Sequence, residues 1–243
     1  SFTNERVVPE RSSSQQRTSV NQDIKDISGN SQWVIIASIT FFLLTAVAMR
    51  GGVTNYYIEY FFDRKASIGA FNSLGMAAGV AGALSVTIFK RHACKVALFR
   101  WASIIVICIH LGFFGLNQAQ YEIALVLSMA ANFFHMVVTV LLFSMVPDTV
   151  EYGKSALKTA GNAMAMSFAG HLLALKFGIA VGGAMTGWGL AYVGYVANAV
   201  QSESALSGIV AIYASGPIAL GFVILALLSR YKLTNQEMTK YAG

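Results

Sequence analysis

A single lysine lies inside a long apolar stretch in the last third of the chain. Lys176 is the one charged residue between Thr159 and Ser202. An ionisable side chain at membrane depth costs about 2.5–3.5 kcal/mol even on insertion scales, and it is kept where it faces a water-filled cavity, a substrate or a counter-charge. A snorkelling lysine is the alternative, but a mid-span position lies about 15 Å from an interface. We therefore interpret Lys176 as a cavity residue.

A second basic residue interrupts the first apolar run. Arg50 follows a long uncharged segment that starts at Trp33. A guanidinium at that depth needs a carboxylate, a carbonyl cluster or water; a structural ion pair, or a span that ends there, is the alternative. Asn55, Tyr56 and Tyr57 follow with amide and hydroxyl groups suited to hydrogen-bonding a polyol, although tyrosines near a span end are also common interfacial anchors.

Polar residues inside the other apolar runs are few. Asn132 and His135 are three residues apart and share one helix face, where they either line a cavity or satisfy each other or a neighbouring hydroxyl. His110 and His171 stand alone and are interpreted as hydrogen-bonded interior groups. The sequence has no metal-ligand spacing such as HExxH and no nucleophile–base arrangement, so we do not expect an enzyme.

A charged motif ends the fourth apolar run. Asp148 and Glu151 have the spacing of an N-cap and an N3 carboxylate, which predicts a short surface helix starting there. Lys154 and Lys158 follow as potential partners of these carboxylates. The segment is either a capped loop or an ion-pair gate on the cytoplasmic side.

The composition identifies the elements that must position these residues. The chain is 56% hydrophobic and 12% charged, and a soluble domain carries about twice that charged fraction. Each apolar run is close to the ~20 residues that span a bilayer, so the sequence predicts an all-α integral membrane protein. The six candidate spans are Trp33–Phe62, Ala66–Phe89, Val96–Leu116, Glu122–Val146, Thr159–Val196 and Ser204–Ser229.

The predicted organisation is a bundle with two polar ends. Residues 1–32 are predicted to be a solvated linker with a short surface helix at Asp23–Ile27, residues 33–232 a six-helix bundle, and residues 233–243 a tail. Gly75, Gly79 and Ala83 of the second span repeat every four residues, which favours close packing of another helix. The chain starts at Ser1 without a signal peptide, so we expect a piece of a longer protein.

The distribution of basic residues predicts the orientation. With six spans both termini lie on one side, and that side collects nearly all of the Lys and Arg residues, whereas the other side has Arg64 and Lys65. The positive-inside rule therefore places both termini in the cytoplasm. There are no aromatic–basic clusters of the kind that bind single strands, so we expect no nucleic-acid partner. Cys94 and Cys108 lack motif spacing, and a disulfide is not expected.

Six short motifs of the chain occur together in one known family. They are Asn4-Glu5-Arg6-Val7, Arg50 with Tyr56-Tyr57, Pro147-Asp148-Thr149-Val150-Glu151-Tyr152-Gly153, Lys158-Thr159, Lys176-Phe177-Gly178-Ile179-Ala180-Val181-Gly182-Gly183 and Gly194-Tyr195. With these motifs the chain resembles the glycoside–pentoside–hexuronide:cation symporters of the major facilitator superfamily, which include the melibiose permease. The similarity covers nearly the whole chain and is most specific from Asp148 to Tyr152.

This resemblance implies a transporter half. The family fold has two six-helix bundles around a central cavity, and this chain resembles helices 7–12, the C-terminal bundle. By motif match Lys176 would link the sugar and cation sites, and the cytoplasmic gate would comprise Asp148, Glu151, Tyr152 and Lys158. The family's cation-binding aspartates lie in the other bundle. The sequence departs from the family at 160–164, where the family carries an Arg and a Glu.

The expected function is cation-coupled sugar or glycoside symport by alternating access at the inner membrane. The expected partners are the sugar, the lipid bilayer and an N-terminal six-helix bundle, and the coupling cation is Na⁺ or H⁺ with no other cofactor. Two alternatives stay open, a non-transporting half-transporter or membrane scaffold and an uncoupled sugar facilitator. The predicted substrate- or cation-cavity residues are Lys176, Arg50, Asn55, Tyr56, Tyr57, Asn132 and His135.

Overall fold

Apolar helices account for nearly all of the chain. The structure, a computed structural model, describes residues 20–90, 93–157 and 163–240. Within these ranges there is no β-strand, and six helices are long and apolar enough to cross a membrane. In chain order the helices are α1 (Val20–Gly29), α2 (Ser31–Tyr56), α3 (Ile68–Phe89), α4 (Lys95–Phe113), α5 (Tyr121–Ala156), α6 (Ala163–Tyr192), α7 (Glu203–Leu228) and α8 (Asn235–Met238).

The predicted fold class and the six spans are confirmed. The bounds of α2, α3, α4 and α7 differ from the predicted ones by a few residues. The short surface helix expected at Asp23–Ile27 lies within α1, which packs against α2 and α6. Residues 158–162 lie outside the described ranges, so the predicted start of the fifth span at Thr159 does too.

Helix α2 starts with a side-chain cap and does not end at its arginine. The Asn30 side-chain oxygen accepts hydrogen bonds from the backbone N–H groups of Gln32 and Trp33 at 3.1 Å, as an N-cap residue does. The helix runs through Arg50 and continues as a π-helix over Tyr57–Phe61. The possibility that the span ends at Arg50 is therefore wrong. Segments of π-helix are often found at functional sites.

Helix α5 passes through the charged motif. The prediction that Asp148 caps a new helix, with Glu151 as its N3 carboxylate, is wrong because α5 continues through Pro147. A proline removes one helical hydrogen bond and usually interrupts a helix. Here Val146 and Val150, on either side of Asp148, are 0% and 2% exposed, and their burial in the bundle favours continuation of the helix. Asp148 therefore lies within the last turns of α5.

Small residues on α6 allow its backbone to lie directly against α2. A Cβ atom at Gly178 would lie 2.5 Å from the Phe41 carbonyl oxygen, and one at Gly182 would lie 2.5 Å from the Thr45 carbonyl oxygen. Both distances are well below van der Waals contact, so only glycine allows this helix separation. The glycines that follow the lysine motif therefore hold α6 to α2.

The glycine face of α3 packs against α5 in the same way. Gly75 and Gly79 approach the side chains of Asn132 and Met136 of α5. The predicted repeat is thus confirmed for these two positions. Gly82, rather than Ala83, is the third buried member of the face.

The core is divided into two apolar clusters. One lies at the end of the bundle where α2 begins and α7 ends, and we call it the terminal cluster; Leu141, Leu142, Met145 and Leu228 are fully buried there. The other lies at the opposite end around Tyr57, Phe113, Ile209 and Tyr213, and we call it the distal cluster. On α2 the terminal cluster extends to Leu43 and the distal cluster begins at Met49. The polar residues of the interior therefore lie near the middle of the bundle, between the two clusters.

Candidate functional site

Arg50 is buried near the middle of the bundle. Its side chain is only 7% exposed. The guanidinium Nη2 donates a hydrogen bond of 2.6 Å to Asn132 Oδ1, and Asn132 Nδ2 donates one of 2.8 Å to the Ser128 carbonyl oxygen. Arg50 forms no ion pair with any described Asp or Glu. The structural ion pair considered from the sequence is therefore wrong for this part of the chain, and a neutral amide holds the cation.

Two histidines lie beside this arginine. The rings of His110 on α4 and His135 on α5 have centroids 5.7 Å apart, and His135 lies three residues after Asn132, which binds Arg50. His110 is 0% and His135 is 5% exposed. His135 and Asn132 share the face predicted from their spacing, but no hydrogen bond joins these two side chains within the described part of the chain. No feature of the sequence indicates that His110 belongs to this group.

Several polar atoms of this group have no protein hydrogen-bond partner among the described residues. They are Arg50 Nε and Nη1, His110 Nε2, His135 Nδ1 and the Tyr57 hydroxyl. Buried polar groups in proteins are nearly always paired, and a buried charge without compensation is especially costly. We define Arg50, His110, Asn132 and His135 as the Arg50 cluster. Its chemistry suits a bound proton, a water molecule or a polar ligand group.

The two predicted tyrosines lie in different environments. Tyr57 is fully buried in the distal cluster, with its ring stacked on Tyr213 at 4.5 Å. Tyr56 is partly exposed and packs edge-on against Tyr195 at 5.0 Å. The Tyr195 hydroxyl donates a hydrogen bond of 3.1 Å to the Tyr60 hydroxyl. Tyr56 therefore belongs to an aromatic group at the distal end, apart from the Arg50 cluster.

An exposed polar face adjoins the Arg50 cluster on α2. Gly51 and Asn55 are exposed, and a Cβ atom at Gly51 would meet nothing within 4 Å. Asn72 of α3 donates a hydrogen bond of 3.0 Å from Nδ2 to Asn55 Oδ1. Amide groups on an open helix face are available for the hydroxyls of a polyol. Asn132 is partly buried and connects this face to Arg50.

Lys176 lies near the middle of α6 and is exposed. It precedes Gly178 by two residues, about 200° around the helix, so it projects away from the α2 contact that Gly178 and Gly182 form. It forms no hydrogen bond or ion pair with the residues that the structure describes. The structure therefore does not bring Lys176 together with the buried Arg50 within this bundle.

The charged motif at the end of α5 forms an ion pair that sequence reasoning missed. Asp148 Oδ2 accepts a hydrogen bond from Lys95 Nζ at the start of α4, and the two side chains are only 13% and 23% exposed. Burial, and to a lesser extent the Asp148 carboxylate, raise the pKa of the Tyr231 hydroxyl far above its usual range. From the sequence, Lys95 is only one of the basic residues that predict the cytoplasmic side. A pairing across 53 positions leaves no local sequence signal.

The other predicted gate residues are less well connected. Glu151 is partly buried and forms no ion pair within the described ranges. Tyr152 packs against the terminal cluster. Lys154, proposed as a partner for Asp148, is exposed, and Lys158 lies outside the described residues. Among the described residues, the ion pair at this motif is therefore Lys95–Asp148.

Comparison of the sequence with known proteins identifies the family of the chain. Residues 1–235 match the family described as MFS/sugar transport protein. The chain belongs to this family. The match confirms the expected membership of the major facilitator superfamily, and with the six spanning helices it identifies an integral membrane protein.

Individual relatives are named as symporters and transporters. The chain is 33% identical over 229 residues to the inner membrane symporter YicJ of Escherichia coli (strain K12), covering 91% of this chain and 48% of the relative. It is 30% identical over 222 residues to the putative glycoside/cation symporter YagG of the same organism, with the same coverage. The isoprimeverose transporter of Lactiplantibacillus pentosus is 27% identical over 222 residues, which is 90% of this chain and 45% of that protein. The chain thus spans about half the length of these relatives.

Proposed function

We propose that this chain is the C-terminal half of a cation-coupled sugar or glycoside symporter. It lies in the inner membrane with both termini in the cytoplasm and works by alternating access together with an N-terminal six-helix bundle. Membership of the MFS/sugar transport protein family carries this proposal. It is further supported by relatives that are named as a symporter, a glycoside/cation symporter and an isoprimeverose transporter.

The uneven burial of the helices supports a partner bundle. In the most apolar stretches of α7 and α4, 50% and 44% of the residues are buried inside the bundle, whereas in those of α3 and α6 only 28% and 17% are buried. Helices with so little internal contact need lipid or other helices around them. We assign one face of α3 and α6 to the second bundle. Lys176, exposed on α6, then lies at the boundary between the two bundles.

The polar groups acquire roles in this arrangement. The amides of Asn55 and Asn72 on the open face hydrogen-bond sugar hydroxyls, and Lys176 connects the sugar to the cation pathway. The Lys95–Asp148 pair at the opposite end stabilises one conformation of the cytoplasmic gate, and Glu151 meets a basic group of the other bundle. Each of these roles is a proposal about the assembled transporter.

Two other functions remain as outcomes of the test. A non-transporting scaffold is favoured by the sequence at residues 160–164, which lacks the Arg and the Glu that the family carries there. An uncoupled facilitator is favoured by the surroundings of Arg50. No described carboxylate pairs with this arginine in the bundle interior, so the described residues offer no buried acidic group there that could bind a coupling cation.

The test uses the complete gene product in membrane vesicles with radiolabelled isoprimeverose and a panel of other glycosides. We expect Lys176→Ala to abolish accumulation, and the matched control Lys154→Ala, an exposed lysine at the end of α5, to transport normally. Normal accumulation by Lys176→Ala would contradict the role of Lys176. A wild type that moves no glycoside would favour the scaffold, and one that only equilibrates a glycoside would favour the facilitator.

A further inference from the structure

A cleft lies at the distal end of the bundle, between the segment that follows α2 and the loop that joins α6 to α7. Its volume is about 600 Å³, within the range of about 300–1,000 Å³ that small-molecule sites occupy. Its charged, amide and aromatic lining residues are Glu59, Tyr60, Asp63, Lys65, Asn198 and Gln201. We call it the distal cleft.

The aromatic ring in the distal cleft is held in a fixed orientation. The Tyr60 ring is stacked on Tyr56 with centroids 6.5 Å apart, and Tyr195 packs edge-on against it at 5.4 Å. The Tyr195 hydroxyl also donates a hydrogen bond of 3.1 Å to the Tyr60 hydroxyl. Aromatic side chains give a binding site its apolar surface, and a tyrosine adds a polar tip. Tyr60 therefore suits a ligand with both apolar and hydroxyl-bearing edges, such as a sugar ring.

Both walls of the distal cleft are ordered by hydrogen bonds. In the loop wall, Gln201 Nε2 donates to the carbonyl oxygens of Val196 at 2.6 Å and Ala199 at 2.7 Å. Its Oε1 accepts a bond of 3.1 Å from the Val196 N–H. In the other wall, the Arg64 N–H donates a bond of 3.1 Å to the Ile58 carbonyl oxygen. A preformed site loses little conformational entropy when a ligand binds.

The side chains that line the distal cleft carry one net negative charge. Glu59 Oε1 accepts a hydrogen bond of 2.7 Å from Lys65 Nζ. Asp63 is exposed and forms no ion pair within the described part of the chain. Arg64 is not a lining residue, and its guanidinium lies 4.8 Å from the Tyr121 ring. Carboxylates accept hydrogen bonds from hydroxyl groups, whereas their charge repels an anionic ligand.

The distal cleft is continuous with the open face of α2. Glu59 follows Asn55 by four residues, so the two share one side of the helix and lie about 6 Å apart along its axis. Asn55 in turn accepts a hydrogen bond from Asn72 on the open face. A sugar that leaves the cleft therefore meets the amides of the open face within about one helical turn.

We propose that the distal cleft is an entrance site that binds an uncharged glycoside on the non-cytoplasmic side, before the sugar moves along α2 to the open face. The Tyr60 ring packs against the sugar, and Glu59 and Asp63 accept hydrogen bonds from its hydroxyls. The negative charge of the cleft disfavours uronides and other anionic sugars. The inference rests on the proposed function and names uncharged glycosides as its substrate class.

The first experiment measures sidedness with the complete gene product in right-side-out and inside-out membrane vesicles. Initial rates are recorded with labelled isoprimeverose or another transported glycoside. Tyr60→Leu should raise the KM in right-side-out vesicles about tenfold at an unchanged maximal rate. The KM in inside-out vesicles should stay the same, because sugar from the cytoplasmic side does not enter through the distal cleft. Tyr192→Leu is the matched control, since this tyrosine at the end of α6 is 92% exposed and does not line the cleft.

The second experiment measures charge selection in right-side-out vesicles. Methyl glucoside and methyl glucuronide, which differ by one carboxylate, compete with the labelled glycoside, and the glucuronide should be the weaker inhibitor of the wild type. Asp63→Asn should narrow that difference about fivefold. Asparagine also tolerates the positive φ of 52° at Asp63, so the turn is kept. Glu122→Gln, at an exposed carboxylate of the same end that does not line the cleft, is the control.

Different results separate the entrance site from the proposed function. Transport with an unchanged KM in Tyr60→Leu would overturn the entrance site and leave the symporter intact. An equal rise of the KM in both vesicle orientations would overturn it as well, because the effect would then lie in the central cavity. Should Tyr60→Leu fail to fold, Asp63→Asn decides, and unchanged discrimination would refute the site. A wild type that moves no glycoside would remove the proposed function, and the entrance site with it.

Discussion

Replacing Gly182 by alanine should separate α6 from α2. The added Cβ atom would lie 2.5 Å from the Thr45 carbonyl oxygen and 2.8 Å from Ala48 Cβ, whereas ordinary contact begins near 3.4 Å. The nearest atoms are backbone and a Cβ, which cannot rotate away. The two helices must therefore move apart by about 0.9 Å at this point, or α6 must shift along its axis. Overpacking of this kind costs about 1–3 kcal/mol.

The adjacent glycine provides the control. A Cβ atom at Gly183 would meet nothing within 4 Å. Both substitutions gain about 1 kcal/mol of helix propensity, so the comparison of the two variants cancels that term. We expect Gly182→Ala to be less stable than Gly183→Ala by about 1–3 kcal/mol.

The assay is denaturant-induced unfolding of the purified 243-residue chain in detergent, followed by loss of helical circular dichroism. Using this chain keeps the open face of α6 free of a second bundle, so Gly183→Ala tests only the bundle itself. Equal stability of the two variants would refute the direct backbone contact between α2 and α6. A Gly183→Ala variant that is the less stable of the two would show that α6 is rotated relative to this structure.

Two further substitutions test the polar contacts by the same unfolding assay. Asp148→Asn removes the carboxylate that accepts a hydrogen bond from Lys95 and should lower the free energy of unfolding by about 1.5–3 kcal/mol. The same substitution should cost less in a chain that already carries Lys95→Met, because the partner charge is then absent. Lys154→Met changes an exposed lysine and is the control, which should leave the free energy of unfolding unchanged. Asn132→Leu leaves the Arg50 Nη2 group without its acceptor and should cost about 1–3 kcal/mol. An unchanged midpoint for Asn132→Leu would show that Arg50 does not rely on this hydrogen bond.

The spanning helices could be predicted because a helix that crosses a bilayer needs a continuous run of about 20 apolar residues, and such a run is visible in the sequence. Each of the six apolar runs became a helix, and the α3 glycine repeat indicated a packing face, which the structure confirms at Gly75 and Gly79. The N-cap assigned to Asp148 failed because local capping chemistry competed with tertiary burial of Val146 and Val150. Burial of these side chains against other helices overrides the local preference at Pro147.

The candidate site was only partly predictable for a different reason. Arg50, Asn132 and His135 stood out as polar residues in apolar runs, but the sequence does not show which helices meet. His110 joins them from α4, and Lys95 at the start of α4 reaches Asp148 near the end of α5. Such pairings across distant segments depend on helix packing, and only the three-dimensional arrangement reveals them.

Accumulation of a glycoside against its gradient tests the proposed symport most directly. The complete gene product is reconstituted in vesicles, and labelled isoprimeverose and a glycoside panel are offered with an inward H⁺ or Na⁺ gradient. We predict that at least one glycoside rises above its outside concentration and falls back when the gradient is collapsed by an ionophore. Equilibration without accumulation, or no entry at all, would contradict it.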